Sequence, residues 1–138
     1  MKRLLLLTSI GFSLGLQAQM KAPEVVSKAF EQRFANAKHV KWGKENAKEY
    51  EADFTLNGKK MSANFDLQGN WKETETEIAI TELPAAVSKS IRENYHGATI
   101  RGASKIEKSD GKMIYEADLN WEGKKKEVEL YPDGKLVK

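Results

Sequence analysis

Alternation of apolar and polar residues is the clearest pattern in the chain, and it occurs twice. Residues 50–56 and residues 115–121 each place an apolar side chain at every second position, and both segments begin with Tyr-Glu-Ala-Asp. A period of two predicts β-strands with one buried and one exposed face. Because the same four residues open both segments, we interpret the chain as two copies of one structural unit.

A helical period comes before each alternating segment. Pro23 and Pro84 are suited to the first turn of a helix. The apolar positions that follow are Val26, Phe30 and Phe34 in the first copy and Val87, Ile91 and Tyr95 in the second. This spacing predicts one helix in each copy, ended by Asn36 in the first and by Gly97 in the second.

Turn residues separate the predicted strands. Asn57-Gly58 favours a tight type I′ hairpin. Gly134 is expected to make a last hairpin into a short strand at residues 135–137. Each copy therefore has the predicted order α-β-β-β-β, the first in residues 22–80 and the second in residues 83–138.

The predicted fold class is α+β, built from these two tandem units. A unit of about 60 residues is marginally stable on its own without disulfides. We therefore expect the units to join in one continuous antiparallel sheet of about eight strands, with both helices packed on one face.

Residues 1–18 have the pattern of a secretory signal peptide. Lys2 and Arg3 precede an apolar run at residues 4–16, and Ala18 offers a small residue for cleavage. A run of about 13 residues is shorter than the roughly 20 that span a bilayer. We expect cleavage after Ala18, no stable membrane insertion afterwards, and a periplasmic or secreted protein.

Composition excludes several classes of function. The chain has no cysteine, which excludes thiol catalysis, thiol redox chemistry and cysteine-ligated zinc. Loss of Lys2 and Arg3 with the signal lowers the Lys and Arg count from 23 to 21 against 20 acidic residues, a net charge of about +1. A nearly neutral chain gives no support for nucleic-acid binding.

No set of catalytic residues is predicted. The two histidines, His39 and His96, lie far apart in the sequence, and a catalytic or metal site needs two or three convergent groups. The glycines occur singly in turns, without a phosphate-binding loop. We predict no catalytic residue, no metal, no cofactor and no enzyme activity. A hydrolase would need a deep pocket around one of the histidines together with acidic partners.

Several motifs resemble those of a known family. They are Ala-x-x-Val-x-Trp at residues 37–42, Tyr-x-Ala-x-Phe at residues 50–54, Asn-Gly-Lys at residues 57–59 and Phe-Asp-x-x-Gly-Asn-Trp at residues 65–71. Together they resemble the PepSY-like family, also called β-lactamase-inhibitor-protein-like, of exported proteins in Bacteroidetes-type bacteria. The resemblance covers about residues 22–138 as two copies and implies a tandem fold whose open sheet face can bind a protein.

The second copy departs from the family pattern. Ala103 stands where the first copy has Trp42, and residues 131–136 replace the Phe-Asp…Gly-Asn-Trp ending. The two halves therefore need not use a shared face in the same way. Inhibition of a β-lactamase is not carried over, because analogy of fold alone does not transfer function.

Strand parity supplies the candidate binding residues. In the repeated Tyr-Glu-Ala-Asp, the tyrosine and alanine point to the core, and the two carboxylates point to the face away from the helices. The residues expected to contact a partner are Glu51, Asp53, Asn64, Asp66, Trp71, Glu116, Asp118, Glu127, Glu129 and Tyr131.

Three interpretations of this surface are open. The first is a non-catalytic periplasmic binding or inhibitory module that engages an unidentified protein or peptide by charge complementarity. The second is a small-ligand or cation-binding periplasmic protein that uses the same carboxylates. The third is a solvated face without a partner, which antiparallel sheets commonly have.

Overall fold

The computed structural model describes residues 20–138, so the predicted signal peptide lies outside the described residues. These residues form two α-helices, a short 3₁₀ helix and seven strands. The elements are α1 (Glu24–Arg33), β1 (Lys38–Asn46), β2 (Glu49–Leu56), β3 (Lys59–Asp66), β4 (Trp71–Ile78), the 3₁₀ helix (Ile80–Glu82), α2 (Ala85–Asn94), β5 (Thr99–Lys108), β6 (Met113–Trp121) and β7 (Lys124–Leu130). The fold is α+β, as predicted.

The strands form one antiparallel sheet in which each strand pairs with the next along the chain, in the order β1-β2-β3-β4-β5-β6-β7. The pairing of β4 with β5 joins the two halves over six registered positions, from Glu73 opposite Lys108 to Ile78 opposite Ala103. The prediction of a continuous sheet is therefore confirmed.

The expected eighth strand is not formed. Leu136 makes a single bridge with Leu130, and the Val137 N–H donates to the Glu129 carbonyl at 2.9 Å. The matching bridge in the first half pairs Phe65 with Trp71 and is followed by a full strand. In the second half the Tyr131 N–H donates to the Lys135 carbonyl at 2.8 Å, and the pairing seen in residues 20–138 ends with the Val137 hydrogen bond.

Both helices lie on the same face of the sheet. Ala63, in the core below α1, is opposite Thr74 of β4, and Ile78 of the same strand is opposite Ala103, in the core below α2. Thr74 and Ile78 are four positions apart, so their side chains share a face. The opposite face of the sheet carries no helix among residues 20–138.

Two hydrophobic cores hold the helices to the sheet. Val26 and Phe30 of α1, and Phe34 directly after it, are buried against the aromatic side chains of β1–β4. Val87 and Ile91 of α2 are buried against smaller aliphatic side chains of β5–β7. The helical period read from the sequence therefore marks the buried stripe of each helix.

The turns follow the predicted chemistry. Asn57 and Gly58 have φ angles of 52° and 77°, as a type I′ hairpin requires. Asn36 and Gly97 take the left-handed conformation after the two helices, with φ angles of 69° and 75°. Within residues 20–138, neither helix has the length and apolar character of a membrane span.

Candidate protein-binding face

The face of the sheet without helices is rich in carboxylates. We call it the acidic face and define it by Glu51 and Asp53 of β2, Glu73 and Glu75 of β4, Glu116 and Asp118 of β6, and Glu127 and Glu129 of β7. Residues directly opposite on antiparallel strands share a face, and so do residues two apart on one strand. The pairs Asp118–Glu127 and Glu116–Glu129 therefore set like charges directly across β6 and β7.

The carboxylates of the second half are crowded. One oxygen each of Glu116, Asp118 and Glu127 lies within 4.8 Å of the others. The pKa of Glu116 is raised to about 9, chiefly by burial and in addition by the charges of Glu75, Glu127, Asp118 and Glu129. Burial also raises the pKa of Glu127, although a hydrogen bond with Glu116 opposes this rise. A half-buried cluster of like charges therefore holds protons that an isolated glutamate would release.

The carboxylates of the first half behave similarly. The pKa of Glu51 is raised to about 7, chiefly by burial and in addition by the nearby charges of Asp53 and Glu45. Burial raises the pKa of Asp53, and Lys41, which lies directly opposite on β1, lowers it. The first half therefore has one cation close to its central carboxylates.

Glu75 connects the two groups of carboxylates. It lies on β4, between the halves, and its charge raises the pKa of both Glu51 and Glu116. Burial raises the pKa of Glu75 itself, and a hydrogen bond with Ser104 opposes that rise. The carboxylates of both halves are thus coupled electrostatically through Glu75 across the joined sheet.

Counterions on this face are few. Glu73 forms an ion pair with Lys108, which lies directly opposite on β5. For residues 20–138, no ion pair with Lys or Arg involves Glu116, Asp118 or Glu127. The negative charge of the second half is therefore uncompensated by an ion pair within the described protein.

The acidic face also contains buried side chains. Ile106 and Ile114 lie directly opposite each other, and Ile106 is also opposite Glu75, so both isoleucines share the face of the carboxylates. Their side chains are only 5% and 3% exposed. Asn64, opposite Glu51 and Glu73, is 6% exposed. Partial burial by neighbouring side chains explains why desolvation is the largest cause of the raised pKa values.

Trp71 lies apart from this face, and Asp66, opposite Glu49 at the edge of the face, is engaged in its own turn. Trp71 is on the helix side: the Arg33 guanidinium lies 3.5 Å from the centroid of its ring, and its Nε1 donates to Thr74 Oγ1 at 2.9 Å. Asp66 caps its own turn by accepting from the Gln68 and Asn70 N–H groups at 3.0 and 2.9 Å. The hydrogen bond from the Asn70 side chain is the largest cause that lowers the pKa of Asp66.

The other predicted residues share the acidic face. Glu51, Asp53, Asn64, Glu116, Asp118, Glu127 and Glu129 are brought together there by strand parity and register. Tyr131 continues the parity of Glu129 one position beyond β7 and is half-buried. Glu73 and Glu75 were not among the predicted residues, although the alternation of glutamate and threonine at residues 73–77 carries the same signal as the two Tyr-Glu-Ala-Asp segments.

The histidines lie apart from the acidic face and from each other. His39 is exposed in a bulge of β1 with a φ of 57°, and His96 is exposed after α2. An open groove of about 470 Å³ beside α1 is lined by nine residues, among them Phe30, Phe34 and Trp42, and neither histidine is one of them. This arrangement does not provide the pocket that the hydrolase alternative requires.

Comparison with known proteins places the chain in a family. The family described as "Putative beta-lactamase-inhibitor-like, PepSY-like" matches residues 18–58 and 48–138, which is most of the chain. This protein belongs to the PepSY-like family. No curated protein matches it. The PepSY-like resemblance inferred from residues 37–71 is therefore confirmed.

Solved structures show the same fold for this PepSY-like chain. A DUF2874 family protein from Bacteroides uniformis is 23% identical with a TM-score of 0.77, covering 86% of this chain and 88% of its own. One of the "putative periplasmic proteins" from Bacteroides eggerthii is 21% identical with a TM-score of 0.76 and the same coverage. A BLIP-like protein from Bacteroides fragilis is 24% identical with a TM-score of 0.70, covering 86% and 85%.

Proposed function

We propose that this PepSY-like protein is a non-catalytic periplasmic binding module whose acidic face engages a basic protein or peptide. The observation that carries the proposal is the cluster of Glu116, Asp118 and Glu127, whose oxygens lie within 4.8 Å of one another and form no ion pair with Lys or Arg in residues 20–138. Holding like charges together in a partly buried place is unfavourable. A partner that brings lysine or arginine side chains would relieve this repulsion.

Two further observations support the proposal. One solved structure of this fold carries the description "putative periplasmic proteins", and another is called BLIP-like. The family description names inhibitor-like proteins, a class that acts by binding another protein. Within residues 20–138, the groove beside α1 and a second groove at Gly58 and Glu82 are not lined by the paired carboxylates, whose catalysis would need an enclosed cleft.

A second candidate function is the binding of a divalent cation by Glu116, Asp118 and Glu127. It is favoured by their spacing, because three convergent carboxylate oxygens are ligands that calcium accepts. Calcium takes six to eight oxygens, so about half of its coordination would have to come from water or from a partner.

Calorimetry distinguishes the two candidates. The probes are the peptide Gly-Ser-Lys-Lys-Lys-Ser-Gly and calcium chloride, each titrated into the protein at pH 7.5. We expect heat from the peptide, with an affinity that weakens about ten-fold between 50 and 500 mM salt because the contact is electrostatic. Since Glu116 is protonated in the free protein at this pH, binding should release protons, and the heat should depend on the ionisation enthalpy of the buffer.

The results of the two titrations distinguish the peptide-binding candidate from the cation-binding candidate. Heat from calcium at 1 mM with none from the peptide would favour the cation-binding candidate. No heat from either probe would contradict both. A matched variant with Glu31→Lys and Glu93→Lys, exposed on α1 and α2, should bind the peptide as the wild type does.

Raised pKa values on the acidic face predict that the protein loses stability as the pH rises. A carboxyl with a raised pKa binds more protons in the folded than in the unfolded state between its two pKa values, so the free energy of unfolding falls across that interval. For Glu116 the interval runs from 4.5 to about 9, and for Glu51 from 4.5 to about 7. Below pH 4.5 their contribution is fully present.

Glu116→Gln should flatten this pH dependence. At pH 8 we expect the variant to melt about 3–5 °C above the wild type, which corresponds to about 1 kcal/mol after allowance for solvent screening of a half-exposed group. Thermal unfolding, monitored by circular dichroism from pH 5 to pH 9, measures the melting temperature of each protein. Glu31→Gln, on the exposed side of α1, is the control and should keep the wild-type slope. If the melting temperatures of the wild type and Glu116→Gln depended on pH in the same way, the raised pKa of Glu116 would be contradicted.

A further inference from the structure

Asn64 is a buried polar residue within the acidic face. Its neighbours Ala63 and Phe65 on β3 belong to the core below α1, so the Asn64 side chain points to the opposite face. It is 6% exposed. The side chain forms no hydrogen bond with any residue of the described chain.

The Asn64 amide nevertheless reaches the surface. Among residues 20–138, no fully buried side-chain nitrogen or oxygen lacks a partner. The polar end of Asn64 therefore keeps contact with the exterior of the acidic face. A polar group at such an opening is free to bind water or the donor of a ligand, because no side chain of residues 20–138 occupies it.

Carboxylates lie on both sides of Asn64. Glu51 is directly opposite on β2 and Glu73 directly opposite on β4, at the separation of about 4.5–5.5 Å between Cβ atoms that is typical of such pairs. Glu75 and Asp53 lie on the diagonals. Glu73 is already paired with Lys108, whereas Glu51, Asp53 and Glu75 have no ion pair in residues 20–138. Glu75 also has a hydrogen bond with Ser104, on the side away from Asn64.

The two halves differ at this position. The Tyr-Glu-Ala-Asp segments start at residues 50 and 115, so the residue of β7 that matches Asn64 is Glu129, and the residue that matches Ser62 is Glu127. The first half therefore surrounds a neutral amide with carboxylates, whereas the second half places further carboxylates there. A neutral hydrogen-bond acceptor between two carboxylates is suited to a ligand group that carries one positive charge and several hydrogen-bond donors.

Arginine fits this place better than lysine does. The guanidinium group is planar, carries five N–H donors in a fixed fork and is more weakly hydrated than an ammonium group. It can donate to two carboxylates and an amide oxygen at once, and it loses less hydration on entering a partly buried place. The buried pair Ile106 and Ile114 adds an apolar surface on the side of Glu75 away from Asn64.

We propose that Glu51, Asn64 and Glu75 form a binding site for a guanidinium group of the basic partner, with the Asn64 amide oxygen as a direct acceptor. The inference rests on the proposed function, because the arginine belongs to the protein or peptide that the acidic face engages. It adds to that function a preference for arginine over lysine at one position.

The test compares two peptides of equal charge by calorimetry. The peptides are Gly-Ser-Lys-Arg-Lys-Ser-Gly and Gly-Ser-Lys-Lys-Lys-Ser-Gly. The wild-type protein should bind the arginine peptide about ten-fold more tightly, as expected for charge-assisted hydrogen bonds in a partly buried site. Asn64→Leu, which keeps the approximate volume and removes the amide, should abolish the preference while the lysine peptide still binds. Ser62→Ala, on the same strand and face, is the matched control and should keep the preference.

A second measurement does not depend on the variant being folded. In the wild-type protein, the side-chain amide NMR signals of Asn64 should shift on addition of the arginine peptide and shift less with the lysine peptide. Equal affinities of the two peptides, or a preference that survives in Asn64→Leu, would overturn the guanidinium site and leave the proposed function standing. Binding of neither peptide would overturn both, and so the two failures are distinguishable.

Discussion

Phe30→Ala should lower the free energy of unfolding by about 3–5 kcal/mol, as expected for removal of a phenylalanine from a packed core. Phe30 is 4% exposed, and its ring lies 5.0–6.2 Å, centroid to centroid, from the rings of Phe34, Trp42, Phe54 and Phe65. A domain of this size has a total stability of about 5–15 kcal/mol. The variant is therefore expected to lose a substantial share of its stability.

Urea denaturation at pH 6 measures this effect. Val25→Ala is the control, because Val25 is on the same helix and 50% exposed, and it should change stability by about 0.5 kcal/mol or less. Ile91→Ala tests the second core at the matching helix position and should cost about 2–5 kcal/mol. Since β4 and β5 join the halves in one sheet, we expect a single transition in each case. A loss below about 1 kcal/mol for Phe30→Ala would contradict the core described here.

Much of the fold could be predicted from local patterns. The alternation at residues 50–56 and 115–121 predicts which side chains face the helices, because successive side chains of a regular strand point to opposite faces. The helix stripes and the Asn57-Gly58 turn are likewise local properties of the sequence. The joining of the halves followed from the small size of each unit, which could not bury enough surface alone.

For Trp71, the alternation of side chains along the sequence predicts the wrong face of the sheet. Counted along β4, it shares the parity of Glu73 and Glu75 and would lie on the acidic face. The register shifts between Asn64–Glu73 and Phe65–Trp71, which inserts one extra residue into β4. A bulge of this kind turns the following side chain to the other face, and here Trp71 packs below Arg33. Nothing in the residue types at 71–73 marks the bulge.

The electrostatic coupling between the carboxylates of the two halves also could not be predicted from the sequence. Glu75 raises the pKa of carboxylates in both halves only because β4 pairs with β5 in a particular register. The charges that add to the raised pKa of Glu116 come from β4, β6 and β7. The alternation in the sequence predicts the face on which each carboxylate lies. The carboxylates that lie next to it depend on the register between the halves.

Reversal of four charges on the acidic face should abolish partner binding. The changes are Glu51→Lys, Asp53→Lys, Glu116→Lys and Asp118→Lys. Each replaces attraction for a cationic partner by repulsion, and like charges set against each other at an interface cost several kcal/mol. We expect the recovery of a specific partner to fall at least about ten-fold, which corresponds to about 1.4 kcal/mol, the smallest loss that a few reversed contacts would cause.

The most direct measurement of the central claim is the recovery of bound protein from periplasmic extract by immobilised wild type, by this fourfold variant and by a charge-matched control. The control carries Glu24→Lys, Glu31→Lys, Glu93→Lys and Glu122→Lys, all at exposed positions away from the acidic face. Circular dichroism verifies that all three proteins are folded. The account predicts that the wild type and the control recover the same partner and that the acidic-face variant loses it. Equal recovery by the acidic-face variant and the wild type would contradict it.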